Sequence, residues 1–280
     1  MRTGVDPFPP IVLTTDFGLA DSYVGLMKGV ILSINPRAAI VDLTHGIPPQ
    51  DVKQAALVLG AGWRFFPQDA IHVVVVDPGV GTQRQALLLV TPQARFLAPD
   101  NGVLSRVVAE YLDGPPAAPE TVPVPARCTA YQLTEPSFWR RPVSNTFHGR
   151  DIFAPAAAHL SLGVEPAALG RPVTQLLYLP RSLAVRDGDR VYGEVVYADH
   201  FGNLITNIPE GMMSGAGSVL IEIKGRGIAR LSRTFHHGDR PGQLLALIGS
   251  HGYLEIAVAN GSAARELKAG PGEPVTLSYL

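Results

Sequence analysis

The chain holds a single cysteine, Cys128, among its 280 residues, which excludes an intramolecular disulfide framework and a four-thiolate zinc site. Charge of one sign is also missing. A formal net charge of −1 gives no global field to attract nucleic acid or a membrane surface. No apolar run approaches the roughly 20 residues needed to span a bilayer. The opening MRTGVDPFPP has no basic stretch leading into an apolar one, so no signal peptide is expected and a cytoplasmic protein is. There is no GxGxxG, and DPGVGT lacks the lysine of a phosphate-binding loop, which argues against nucleoside-triphosphate use. Gly-x-Ser-x-Gly is absent and Cys128 lies in a proline-rich connection, so covalent catalysis has no obvious nucleophile.

What is present is a regular alternation of strand and helix signals. Ile11 to Thr15 reads as a short strand ending at Asp16. Val24, Met27, Val30, Ile31 and Ile34 recur at helical spacing until Asn35-Pro36 stops them, with Asp21-Ser22 as the cap. Ala39 to Leu43 is a second strand, and Pro49 can open the next helix, which closes near Pro67. Four consecutive valines, Val73 to Val76, then form a strand expected to be buried on both faces. Ala86 to Val90 and Phe96-Leu97 read as an antiparallel or mixed extension. Helices are expected at Val103 to Leu112 and Ile152 to Leu162, with Asp113 to Arg127 as a surface connection. The pattern predicts an α/β domain over 1–180, its sheet mainly parallel and flanked by helices.

Beyond a linker at 181–189 the helical pattern gives way to short alternating runs. These are Val191 to Ala198, Leu204 to Ile208, Val219 to Ile223, Gly227 to Leu231, Leu244 to Ile248, Tyr253 to Val258 and Val275 to Tyr279. A smaller all-β, barrel-like domain is expected over 190–280.

Polar residues gather at turns. The valine strand delivers Asp77 into Pro78-Gly79-Val80-Gly81-Thr82, with Arg84 just beyond. Ligands of open α/β sheets bind at carboxyl ends of strands, although a plain turn would use the same residues. His148 lies in a polar loop that feeds a helix N-terminus. Asp199-His200-Phe201-Gly202-Asn203 and Ser250-His251-Gly252-Tyr253 form two more such turns. Asp16, Asp77 and His148 could assemble a metal site, but no HExxH or paired His/Cys spacing supports one. The remaining histidines, His45, His72, His159, His200, His236, His237 and His251, read as surface or structural. His236-His237 is the one adjacent pair.

TTDFG, DPGVGTQR, APDNG, TFHGRDIFAP, DHFGN and SHGYLEIAVANGSA follow one another in an order that resembles the adenosine-forming S-adenosylmethionine hydrolases. These are also called hydroxide adenosyltransferases, and fluorinase and chlorinase are related to them. The resemblance runs from about Ile11 to Ser262. It implies an N-terminal α/β domain, a C-terminal β-barrel domain, and a homotrimer with active sites at subunit interfaces. It implies S-adenosyl-L-methionine as substrate, adenosine and L-methionine as products, and no cofactor. Asp77, Arg84 and His148 resemble the water-activating triad. Asp16 is similar to the ribose-binding residue. Asp199 and Ser250, with Asp21, resemble ligands of the methionine end. Phe201, Asn203 and Phe235 would line the adenine pocket, with the backbone of Val258 to Asn260 at the adenine edge. The fluorinase carries tyrosine in place of Asp77, and Tyr-Ser in place of His148-Gly149, where the serine holds the halide. This chain therefore points to hydrolysis, with a halogenase or a non-catalytic sensor of the same ligand as alternatives. His251 stands where the fluorinase has an arginine for the carboxylate.

Overall fold

The computed structural model describes residues 8–114, 116–213, 219–235 and 242–280, and His236 and His237 lie outside them. The chain divides into two compact units, Met1–Arg181 and Ser182–Leu280.

In the first unit β1 (Ile11–Thr15), α1 (Tyr23–Ile34), β2 (Ile40–Thr44), α2 (Val52–Gly62) and β3 (Ile71–Val75) alternate. They are followed by β4 (Ala86–Val90), β5 (Arg95–Pro99), α3 (Ser105–Val108), β6 (Glu120–Pro123) and β7 (Thr129–Leu133). α4 (Ala154–Ser161), β8 (Gly170–Val173) and β9 (Gln175–Tyr178) complete the unit. Seven strands form one sheet in the order β2-β1-β3-β5-β4-β7-β8, while β6 and β9 pair separately. The valine strand is buried throughout, as expected. Val73 and Val75 enter the core beneath α1 and α4, while Val74 and Val76 enter the core beneath α2 and α3. Unbroken apolar sequence is what a strand covered on both faces requires.

The expectation of a mainly parallel sheet is corrected. Ladders β2–β1, β1–β3 and β3–β5 are parallel, but β5–β4, β4–β7 and β7–β8 are antiparallel. The tight turn at 91–94 makes β4 and β5 a hairpin, with Thr91 Oγ1 donating to Ala94 O at 2.9 Å. A two-strand hairpin cannot be parallel.

Helix limits also differ from the sequence pattern. α2 begins at Val52 rather than at Pro49. Gln50 has a φ of +66°, which helix cannot contain, and the Asp51 carboxylate accepts the Gln54 N–H at 2.8 Å as N-cap. Val103 to Leu112 yields only one α-turn and a 3₁₀ turn at Ala109–Tyr111. Ser22 caps α1 without a side-chain bond. The proline-rich stretch after Asp113 contains β6, whose partner β9 is far along the chain.

The described residues of the second unit form one nine-stranded sheet. Its strands are β10 (Val185–Asp187), β11 (Arg190–Ala198), β12 (Leu204–Pro209), β13 (Val219–Ile223), β14 (Arg226–Ile228) and β15 (Leu231–Ser232). The last three are β16 (Leu244–Ile248), β17 (Tyr253–Val258) and β18 (Pro274–Tyr279), with one short helix, α5 (Ala263–Leu267). The order β14-β13-β18-β11-β12-β17-β16-β15 bends until β14 lies against β16, a nearly closed barrel-like sheet. Val191, Ile221, Ile256 and Leu277 are among the residues filling its interior. β10 falls within the stretch read as a linker and pairs with β11.

Candidate active site

The first unit reverses strand order around β1: the chain moves out to β2, then returns across β1 to lay down β3. Such reversals leave a crevice at the carboxyl ends of the central strands. β1 and β3 run in register to Thr15 and Val75, so Asp16, one residue past β1, and Asp77, two residues past β3, leave the sheet at the same edge. Asp16 Oδ2 accepts the Gln50 N–H at 2.8 Å, which ties the turn after β1 to the N-terminal approach of α2. Asp21 is exposed ahead of α1.

Asp77 and Arg84 lie at the two ends of one turn. Arg84 Nε donates to both Asp77 oxygens at 2.9 Å, and Nη2 donates to Oδ2. Their side chains are only 5% and 10% exposed, so little water screens the pair. Arg84 Nη2 also meets His148 Nδ1 at 2.8 Å. Arg84 Cζ stands 5.6 Å from the Phe153 ring centroid, within range of a cation–π contact. The structure thus brings Asp77, Arg84 and His148 into one hydrogen-bonded chain.

The arrangement fixes the histidine tautomer. A guanidinium has donors only, so His148 Nδ1 must accept and the neutral ring carries its proton on Nε2. Burial lowers the basicity of His148 and the Arg84 charge lowers it further, against opposing pulls from Asp77 and Asp151. A neutral ring is therefore the resting state.

Gly81 and Asn101 set these side chains in place. Gly81 has a φ of +78°, and a side chain there would collide with Asn145 O, so the Asp77 turn packs directly on the His148 loop. Asn101 Nδ2 donates to Val76 O at 2.9 Å, clamping the residue before Asp77. His148 itself caps a π-helical turn, Gly149–Phe153, that leads into α4. Asp151 in that turn is fully buried. It receives Arg150 Nε at 2.7 Å and the Ser144 N–H at 2.9 Å. Burial would raise its pKa, but those donors and the Arg140 charge hold it lowered. The APDNG motif was the available signal for Asn101. For Asp151 it was TFHGRDIFAP, which contains the residue without indicating its burial.

In the second unit, Asp199 and Asn203 are paired. Asp199 Oδ1 accepts the Asn203 N–H at 2.8 Å, and Oδ2 accepts from Nδ2 at 2.9 Å. One side-chain N–H of Asn203, which was expected to line the adenine pocket, is thus engaged by Asp199. Gly202, with a φ of +83°, presses on Ser262, the N-cap of α5. Phe201 and Phe235 are 73% and 44% exposed. Ser250 is exposed in the turn between β16 and β17, Val258 is buried at the end of β17, and Asn260 follows it with a φ of +55°. Among the described residues no group of three or more His, Cys, Asp or Glu is arranged to hold a metal ion. No helix among them is long and apolar enough to cross a membrane.

Comparison with known proteins converges on one family. Residues 11–170 match the model of the SAM hydroxide adenosyltransferase N-terminal domain, and residues 193–276 match that of the C-terminal domain. The (R)-S-adenosyl-L-methionine hydrolase of Thermus thermophilus is 41% identical over 96% of this chain and 99% of its own length. The enzyme of that name from Salinispora tropica is 38% identical, covering 95% of this chain and 97% of its own. A fluorinase of Nocardia brasiliensis is similar at 29% identity over 94% of this chain and 95% of its own. The crystal structure of an uncharacterized conserved protein from Thermotoga maritima superposes with a TM-score of 0.85 at 34% identity. That match covers 96% of this chain and 99% of the other.

Proposed function

The chain belongs to the SAM hydroxide adenosyltransferase family, and we infer that it hydrolyses S-adenosyl-L-methionine to adenosine and L-methionine. The observation that carries the reading is the Asp77–Arg84–His148 chain at the crevice of the first sheet.

The chemistry is an in-line displacement at the ribose 5′ carbon. Methionine leaves a sulfonium as a neutral thioether, so no general acid is required. The difficulty is the nucleophile, because bulk water has a pKa near ~15.7. Arg84 supplies positive charge beside the nucleophile, and His148 offers its Nε2–H as a donor to the oxygen. Among the described residues Asp77 Oδ1 accepts only the Arg84 Nε bond and so has a lone pair free for the proton. Asp77 is thus the base, and His148 orients. Hydroxide and sulfonium neutralise one another as they react, a charge recombination that a water-poor site favours. Alignment of two reactants in one site can contribute roughly 7–11 kcal/mol to lowering such a barrier. None of these steps calls for a cofactor.

Gly149 favours water over halide. A Cβ there would stand 3.3 Å from Met27 Sδ, Phe147 Cε2 and Val75 Cγ1. A serine there, which a halide site would need, would require these neighbours to give by a few tenths of an ångström.

A homotrimer with active sites at subunit interfaces is part of the proposal. Tyr23, Leu26 and Leu32 are 47%, 44% and 43% exposed, and a side chain at Gly25 or Gly29 on α1 would touch nothing within 4 Å. Helix glycines cost about 1 kcal/mol each relative to alanine, and close approach of a neighbouring chain gives them a use. Turnover in oxygen-18 water tests the hydrolysis, with label expected in the adenosine 5′-hydroxyl. A 5′-chloro product in chloride, or intact substrate, would reject it. The same preparation should sediment as three chains.

A further inference from the structure

We propose that Glu255 is a binding residue for the α-ammonium group of the substrate's methionine end, a role that rests on the hydrolase reading above. Glu255 lies on β17 and is 7% exposed, yet among the described residues no donor reaches its carboxylate. Tyr197, Ile205, Glu255 and Leu247 lie opposite one another across β11, β12, β17 and β16. Directly opposed positions share a face of a sheet, and alternation places Asp199 on the same face as Tyr197. Glu255 therefore shares a face with Asp199, whose carboxylate is held rigid by Asn203.

Room for the Glu255 carboxylate is made by a missing side chain. A Cβ on Gly249 would overlap Glu255 Oε1, so the carboxylate lies over the Gly249 backbone, one residue before Ser250. Ser250 is itself a candidate contact for the methionine end. The site thus has two carboxylates on one face, one at either side, and an exposed hydroxyl in the adjoining turn. A carboxylate largely withdrawn from water without a donor is unfavourable, and a second acid nearby makes it more so. Burial raises the Glu255 pKa, and Asp199 raises it further. A primary ammonium, with three donors and a positive charge, removes both penalties.

The probe is the thioether analogue of the substrate lacking the S-methyl group, which has no sulfonium to displace, together with its form lacking the α-amino group. Calorimetry on the wild-type protein is expected to give affinities that differ by about tenfold or more in favour of the amine. Glu255→Gln and Glu255→Met should each lose most of that preference, the remainder being what Asp199 supplies. Both variants should melt no lower than wild type, because an unpaired buried charge has been removed. A retained preference in folded Glu255→Gln, or a lowered melting temperature with unchanged affinity, would overturn the proposal and make Glu255 structural. The calorimetric comparison does not depend on turnover, so a failure of the oxygen-18 experiment would fault the hydrolase reading without deciding this one.

Discussion

His148 and Asp77 both have the right chemistry to take a proton from water, and sequence alone does not separate them. The separation comes from one contact, Arg84 Nη2 to His148 Nδ1 at 2.8 Å, which leaves the ring only an N–H to present. Asp77→Asn should therefore reduce kcat by roughly two to four orders of magnitude, the range usual for a lost general base. His148→Asn, which keeps a donor, should reduce it less, with KM altered only a few-fold in either variant. Steady-state kinetics on the two purified variants decides the matter. A larger loss for His148→Asn would reverse the assigned roles. At this scale the sequence was informative about residue type and silent about direction. Asp77, Arg84 and His148 stand out because each lies in a turn that follows an apolar run or precedes a helix. Asp151 does not stand out, because nothing local says that its carboxylate is fully buried.

Between the residue and the sheet stands the turn from Asp77 to Arg84. Its geometry depends on Gly81, which combines a φ of +78° with direct packing on Asn145 O. A methyl group at position 81 has to displace either the turn or the His148 loop, so Gly81→Ala should part Arg84 from His148. Turnover is expected to fall by a factor of about ten to a hundred, the scale of a displacement near 1 Å. The loss of stability should be larger than the ~1 kcal/mol typical of a point variant, given both strain and collision. Wild-type turnover in Gly81→Ala would show that the two loops are not coupled through this contact. Elements built on strong local patterns were legible: β1, β3, β12, β16 and β17 fall where alternating or unbroken apolar runs place them. β6 to β9 were not, because a pairing such as β6 with β9 joins segments whose sequences are short, proline-bearing and weakly patterned. The mixed character of the first sheet was missed for a related reason. Strand order is a long-range property, and period alone does not carry it.

For the molecule as a whole, the central strand that delivers Asp77 also carries an acid-sensitive group. His72 on β3 is fully buried, stacked on Phe96 at 5.0 Å and edge-on to Phe66 at 5.3 Å. Neither ring nitrogen has a hydrogen-bond partner among the described residues. Burial pushes its pKa down from 6.5 to about 4. In the unfolded chain His72 takes up its proton near 6.5, so between pH 6.5 and 4 the unfolded state binds more protons than the folded one. Stability is therefore complete above pH 6.5 and declines as the pH falls towards 4, by up to about 3 kcal/mol from this group. The buried Asp151, whose pKa is held lowered by its donors, adds to the loss at lower pH. His72→Phe substitutes an aromatic ring of similar size between the same two neighbours and cannot take up a proton. Whatever its stability at pH 7, its urea midpoint should change less between pH 7 and 4.5 than that of the wild type. Parallel pH dependences in the two proteins would show that His72 does not set the acid limit of the fold.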